Sequence, residues 1–468
     1  MSILQRMFKK DSLENYLNED KHLTKVLGAK DLLSMGIGAV IGTGIFILPG
    51  TVAATTAGPA IVFSFIIAAI ICALAAMAYA ELASAMPVAG SAYAYGNLLY
   101  GEVIGWVLGW ALILEYLLAV AAIATGWSAY FGYFVKPLFQ IPTAIAGSFD
   151  PSHGSYVNVV AVLILILVGW LLTKGKQTSS AVQRLMVLLK IAIIVLFIVV
   201  GFFYIKADNY APIIPPRAHG AFGVQGIFAG AASVFFAFLG FDAVSSSAAE
   251  TKNVKRNMPI GIIGTLIVAA ILYSLVGFVL TGMVHYMHLN VSDPVAFALE
   301  RVGQRGIAYL LTIGALAGMF TSLMAMVFAG SRLLYAMGRD RLLPPFLGEI
   351  DAKNGLPKKA LVVVVIIVSI LGGLVPLGQL AELVNMGTLL AFIFVSLGVI
   401  LLRKNKTIKN DGYKMPLVPV LPIVSAIVSI YLMTTLQKTT LIAGAIWFVI
   451  GLLIYLTYGM RHSHLNHK

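Results

Sequence analysis

A single cysteine, Cys72, serves 468 residues, so no intramolecular disulfide and no thiolate metal cluster can be built. Its place inside an apolar stretch speaks equally against a disulfide-linked heavy subunit as partner. Charge is scarce as well: Asp, Glu, Lys and Arg together make up 11% of the chain, with 19 acids against 32 bases. The eight histidines accompany no buried nucleophile, and the glycine-rich runs lack the Lys-Ser/Thr ending of a phosphate loop. Catalysis and ATP hydrolysis are therefore not expected, and neither a metal nor a cofactor is implied. Nor is there a long polar stretch: the widest gaps between apolar runs, near 132–156 and 285–306, are the size of modest loops.

What fills the chain instead is apolar. Hydrophobic residues account for 60% and the mean hydropathy is +0.94, the composition of a polytopic membrane protein whose first partner is the lipid bilayer. Windows of about 20 residues predict twelve helices, over 34–56, 60–82, 103–131, 157–173, 181–205, 226–248, 259–284, 307–334, 360–377, 380–402, 416–437 and 440–459. With a cytoplasmic N-terminus, 25 Lys and Arg fall on inner segments and six on outer ones. The net charge of +13 thus follows the positive-inside rule, with both termini in the cytoplasm of a cell-membrane protein, and is not a nucleic-acid footprint. Residues 1–30 carry Leu4, Met7, Phe8, Leu13 and Leu17 among charges, which predicts a short amphipathic helix on the inner surface and no signal peptide.

The run Gly36-Ile37-Gly38-Ala39-Val40-Ile41-Gly42-Thr43-Gly44 is unusual in such a setting. Glycine costs a helix interior roughly 1 kcal/mol relative to alanine, so this is a helix built to break. In lipid a freed N–H or C=O finds no water, and a break persists only where it is buried in protein or lines a wet cavity. A second interruption, Phe235-Phe236-Ala237-Phe238-Leu239-Gly240-Phe241-Asp242, follows five helices later. Paired interruptions point to two inverted repeats with a small solute bound between them, and so to transport. Close packing through small residues is the alternative for either run.

Several stretches together resemble the cationic amino acid transporter branch of the amino acid–polyamine–organocation superfamily. They are the helix 1 run with Leu48-Pro49-Gly50; Ala80-Glu81-Leu82 leading to Pro87-Val88-Ala89-Gly90-Ser91-Ala92-Tyr93; Phe235 to Asp242 with Glu250-Thr251-Lys252-Asn253 and Met258-Pro259-Ile260-Gly261; and Glu382 through Asn385, Gly387 and Thr388 to Phe392. Glu115, in Leu114-Glu115-Tyr116, is similar to bacterial and plant members, so a bacterial-type member is expected. The resemblance implies an all-α LeuT-type fold, helices 1–5 and 6–10 as inverted repeats with helices 1 and 6 broken, and import of an L-amino acid by alternating access. Residues 1–30 would form a cytoplasmic segment, 31–403 the transporter core, and 404–468 two peripheral helices and a short tail.

An amino acid presents a carboxylate beside an ammonium. Free N–H groups of the half-helix beginning at Gly42, Thr43 and Gly44 would meet the carboxylate. Carbonyls near Ile41, Phe236, Ala237 and Leu239 would accept from the ammonium, and Phe236, by similarity to the family, would close over the solute as a gate. Met319 and Phe320 would wall the side-chain pocket, with plain helix packing as the alternative.

Lys190 lies roughly 13 Å into its helix at 1.5 Å per residue, where a charge costs at least ~3 kcal/mol unless it faces a polar interior. Burial disfavours the ammonium form and would make its proton exchangeable. The resemblance implies that Lys190 replaces a coupling metal ion between helices 1 and 8, with Gly38, Ile41 and the hydroxyl of Thr321 or Ser322 as partners and the proton as coupling ion. The alternative is a permanently charged strut. Glu115 would pair with a substrate ammonium, shuttle a proton or bond a neighbouring helix. Asp242 would act at the inner gate or cap the half-helix, and Glu81, Glu250 and Glu382 would form ion pairs near the membrane edges.

Uniport and exchange are alternatives to proton symport. A sensor would be expected to carry an output domain or long tail, and a channel a polar stripe or charge ring; neither is visible.

Overall fold

An α-helix satisfies its own backbone hydrogen bonds where no water is available. The computed structural model describes residues 3–19, 25–175, 180–217, 222–351 and 356–466 and is helical. Among the described residues no strand forms, only the isolated bridges Leu27–Thr251 and Asp150–Ser155. The longer helices are α1 (Ala29–Val40), α2 (Ile61–Ala85), α3 (Glu102–Val135), α4 (Val159–Thr173), α5 (Ser180–Phe202), α6 (Gly223–Val234), α7 (Val254–Met283), α8 (Arg305–Arg339), α9 (Lys358–Leu374), α10 (Leu377–Lys404), α11 (Val420–Thr434) and α12 (Lys438–Ile454).

Each apolar window overlaps one of them. Eight helical stretches are long and apolar enough to cross a membrane by length and composition, and α4 and α11 are shorter apolar helices. One of the eight, Leu48–Ala85, is interrupted by Gly58 (φ 64°) and Pro59, so α2 starts only at Ile61. The window 416–437 overran α11 because hydropathy does not register Pro416 and Pro419 ahead of its first turn.

Three pairs of helices five apart in order are packed together: α2 lies along α7, α3 along α8 and α4 against α9, while α3 also packs on α10 and α1 on α7. Small residues allow the close approach. At Gly36 of α1, for instance, a Cβ would stand 2.1 Å from Thr265 Oγ1 of α7.

The N-terminal segment differs from the single surface helix expected. It forms two short helices, Ile3–Met7 and Leu13–Glu19, and is bonded to protein at several points. Glu102 N–H donates to Lys9 O (3.1 Å), Asp11 N–H to Asn97 O (3.3 Å) and Asn97 Nδ2 to the Tyr16 hydroxyl (2.8 Å). Lys9 Nζ reaches Leu465 O near the other end of the chain, so both ends of the described chain lie on the same face.

On that face Glu81 departs from a surface ion pair. It is fully buried, and its carboxylate accepts from Arg403 Nε and Nη2 (both 2.9 Å), Asn410 Nδ2 (2.7 Å) and Met415 N–H (2.6 Å). The α2 terminus is thereby stapled to the segment between α10 and α11. Glu250 pairs with Arg332 (3.3 Å), whereas Glu382 bonds the neutral Gln437 and Thr440. The peripheral α12 is held to α3 by stacked Trp110 and Trp447, centroids 4.6 Å apart, each indole N–H donating to the other residue's carbonyl.

Arg403 is 31% exposed and can turn to water, but removing the Glu81 carboxylate also leaves Asn410 Nδ2 and the buried Met415 N–H without their acceptor, at a cost of roughly 2 kcal/mol. Glu81→Ala should therefore lower the thermal unfolding midpoint of the detergent-solubilised protein by several degrees. Lys255→Ala, which removes an exposed pair to Asp411 at 3.7 Å, should leave it nearly unchanged. Equal midpoints for the two variants would show that the staple contributes nothing.

Candidate functional site

Regular hydrogen bonding in α1 stops at the glycines. Ile41 N–H still donates to Ile37 O (2.9 Å), but Gly42 N–H turns back to Val40 O (3.0 Å), so the Gly38 carbonyl loses its i+4 donor. The chain resumes as one turn, Thr43–Phe46, and continues as Leu48–Val52. The first N–H groups of the resumed turn have no partner within it.

Lys190 of α5, 1% exposed, takes the freed oxygens: Nζ donates to Gly38 O and Ile41 O (both 3.0 Å) and to Ser322 Oγ of α8 (2.7 Å). Ser322 Oγ in turn donates to Gly38 O (2.7 Å). Three elements thus meet on one ammonium whose partners are all uncharged. Thr321 takes no part, since its hydroxyl donates within its own helix to Gly318 O (2.8 Å). The Ile41 carbonyl faces the lysine and Ser322, which places it in the lysine's cradle and not among free acceptors for a solute.

The second interruption lies beyond α6. A 3-10 turn, Phe235–Phe238, is followed by extended Leu239 (ψ 148°) and by Gly240 at φ 107°, before a 3-10 stretch, Asp242–Glu250. Gly240 is required twice over. Its backbone is left-handed, and a Cβ there would stand 3.2 Å from the carbonyl carbon of Ala39. Of the acceptors expected here, the Phe236 carbonyl is taken by Leu239 N–H (3.2 Å).

The two breaks touch. A Cβ on Gly44 would lie 2.6 Å from Ala237 Cα, so the backbones of the interrupted segments are in direct contact. Thr43 Oγ1 points at Ala122 O of α3 (3.5 Å) and Met319 Sδ of α8 (3.8 Å). Met319 is fully buried beside the break, while Phe320 is half-buried against the apolar core. Phe236 is buried.

Glu115 and Asp242, each 1% exposed, make no side-chain hydrogen bond of ordinary geometry. Thr388 of α10 lies beside Glu115 and the amides of Asp242 and Ala243 beside Asp242, and the two carboxylates are near enough to interact electrostatically. Among the described residues no three His, Cys, Asp or Glu side chains come together as metal ligands.

Four neighbours of the break escaped the sequence reading. Tyr273 of α7 donates to Val40 O (2.8 Å), at the end of α1, and Tyr130 of α3 donates to Phe46 O (2.9 Å), in the resumed turn. Both tyrosines are fully buried, and a buried tyrosine hydroxyl in an apolar helix needs a partner; that was the available signal. Ile123 and Gly126 of α3 shape the space opposite, with a Cβ on Gly126 falling 2.2 Å from Thr43 Cγ2. Backbone donors, spare acceptors and an apolar wall therefore surround one junction, which suits a small solute carrying both kinds of polar group.

Residues 27–457 match the family model described as amino acid permease. Over 99% of its length the chain is 43% identical to the methylthioribose transporter of Bacillus subtilis (strain 168), covering all of that protein. It is 41% identical to the branched-chain amino acid permease BcaP of Lactococcus lactis subsp. cremoris (strain MG1363), over 97% of this chain and 99% of the relative. It is 39% identical to the vacuolar cationic amino acid transporter 4 of Arabidopsis thaliana, over 86% of this chain and 67% of the relative.

The contact between the breaks separates two glycines that look equivalent in sequence. Gly44→Ala places a methyl group on the Ala237 backbone, an overpacking that costs about 2 kcal/mol. At Gly42 the nearest atom to an added Cβ is Ile123 Cγ1 at 3.6 Å, an ordinary contact. Thermal unfolding should show Gly44→Ala several degrees below Gly42→Ala; the reverse order would refute the contact.

Proposed function

The chain belongs to the amino acid permease family, and from that premise we propose that it is a secondary transporter that imports L-amino acids, small neutral or cationic, in symport with protons. The observation that carries this reading is the contact of two interrupted helical segments at Gly44 and Ala237. There the amides of Thr43 and Gly44 would hold the carboxylate, joined by that of Gly42 once it leaves Val40 O. Carbonyls of Ala237 and Leu239 would accept from the ammonium. Met319, Ile123 and Phe236 would bound the side chain, Phe236 also acting as gate, with Phe320 behind Met319.

The reading includes twelve membrane crossings with both termini in the cytoplasm of the cell membrane. Two observations support it: the 25 to six distribution of Lys and Arg, and the meeting of Lys9 with Leu465, since ends on one face require an even number of crossings. Inverted repeats of α1–α5 and α6–α10 are supported by the pairing of α2 with α7, α3 with α8 and α4 with α9, the pairs that a two-fold axis would relate. Residues 31–403 would then be the core and 404–468 the periphery.

Proton coupling rests on Lys190. Its partners are two carbonyls and a hydroxyl, so loss of the proton would leave no buried anion behind, and the bridge between α1, α5 and α8 would weaken each time it left. The driving force is then an ion gradient, with neither ATP nor a metal ion. Glu115 and Asp242 stand on the same side of the α6 interruption, where they would receive a cation moving inward.

A second reading is favoured by the 43% identity to a protein named for methylthioribose. That solute has no carboxylate and no ammonium, so the two readings separate cleanly. Proteoliposomes should accumulate labelled alanine, leucine or arginine more strongly with an acidic exterior. Accumulation of methylthioribose alone would establish the second reading, and accumulation of none would end both.

Lys190→Met keeps an unbranched chain of similar length without the ammonium. Accumulation driven by the proton gradient should fall to the level seen without a gradient, and full proton-driven uptake in this variant would remove Lys190 from the coupling. Met319→Ser exchanges a thioether beside Thr43 for a small hydroxyl and should raise the competition of arginine against alanine. An unchanged ratio would place Met319 in helix packing only.

A further inference from the structure

The hydroxyl of Tyr130 stands where three elements meet. It donates to Phe46 O in the turn after the α1 break (2.9 Å), and its ring meets the Phe46 ring edge-on with centroids 5.7 Å apart. The amides of Val295 and Ala296, in the first turn of the short helix Pro294–Arg301 between α7 and α8, lie against the same oxygen. That short helix rests directly on the resumed segment, since a Cβ on Gly50 would fall 2.3 Å from Pro294 Cβ. The tyrosine itself comes from the far end of α3, away from the face that holds the chain ends.

Behind the turn Ile45, Phe46, Val295 and Leu311 pack against one another with no room for a water molecule. Apolar contact of this kind is non-directional, so the directed contact on the turn is the hydroxyl. Tyr273, by contrast, holds Val40 O on the near side of the break, so the two halves hang from different helices.

We propose that the Tyr130 hydroxyl is a positioning group that keeps the resumed half of helix 1 and the Pro294–Arg301 helix closed together on the face opposite the chain ends, and that its release opens the solute's route from that face. This rests on the transport reading above. Closing brings the amides at Val295 and Ala296 up to the oxygen that donates to the Phe46 carbonyl, and opening separates them. Loss of the hydroxyl favours the open arrangement without altering the residues that would hold the solute.

The test uses full-length protein in proteoliposomes, with Cys72→Ala to remove the native thiol and Leu48→Cys as reporter. Leu48 is 7% exposed and lies in the resumed segment. Labelling by a membrane-impermeant maleimide, with no solute present, should be several-fold faster after Tyr130→Phe and unchanged after Tyr273→Phe. In uptake of the best substrate, Tyr130→Phe should lower Vmax several-fold at an equal or lower KM, because closure is impaired and binding is not. An unchanged labelling rate would overturn the proposal, as would an equal rise in both tyrosine variants, which indicates general loosening. Labelling reads closure whether or not anything is transported, so a failure of the transport reading would appear in the uptake arm alone.

Discussion

The structure turns on the Lys190 ammonium and the two carbonyls it meets in α1. A helix broken at bilayer depth exposes backbone oxygens where no water can reach them, each at a cost of several kcal/mol. Here Gly38 O and Ile41 O are satisfied by one lysine and one serine from two other helices. The same contact satisfies the lysine, which would otherwise be a charge without partners. Neither the break nor the buried cation is tolerable alone, and together they fix α1 against α5 and α8. Gly318 completes the arrangement, because a Cβ there would stand 2.7 Å from Lys190 Cγ and push the lysine stem from α8.

The rest of the site follows from what the break leaves over. The resumed turn cannot lean on α1, so it hangs from Tyr130 and packs on the Ala237 backbone, while the end of α1 hangs from Tyr273. The unpartnered carboxylates of Glu115 and Asp242 lie to the other side of the second interruption. The polar groups of this interior therefore fall into two clusters: a lysine with neutral acceptors at one break, and two buried carboxyl groups without a hydrogen-bond partner of ordinary geometry near the other.

Much of this was legible in the chain. The glycines around Thr43 announce a break because helix propensity and lipid burial disagree there, and Lys190 announces a partner because an isolated charge at that depth is too costly. The choice between Thr321 and Ser322 was not legible. The two are adjacent on α8, and only the rotation of that helix decides which hydroxyl faces α5. The same holds for Gly42 and Gly44, alike in sequence, of which one faces Ile123 with room to spare and the other lies on Ala237. Glu81 looked like a membrane-edge residue, yet it is buried because the segment after α10 folds back over it, a contact between residues more than three hundred positions apart.

The sequence by itself determined the class of the molecule, the placement of its apolar helices, the two interruptions and the identity of the buried lysine. Each of these follows from local composition weighed against a solvent that offers no hydrogen bonds. Only the tertiary structure decided which oxygens the lysine takes, which tyrosines hold the two halves of helix 1, and which glycines are contact points. These depend on helix rotation and register, and a helix that is apolar on every face carries no periodic signal of which side meets which neighbour.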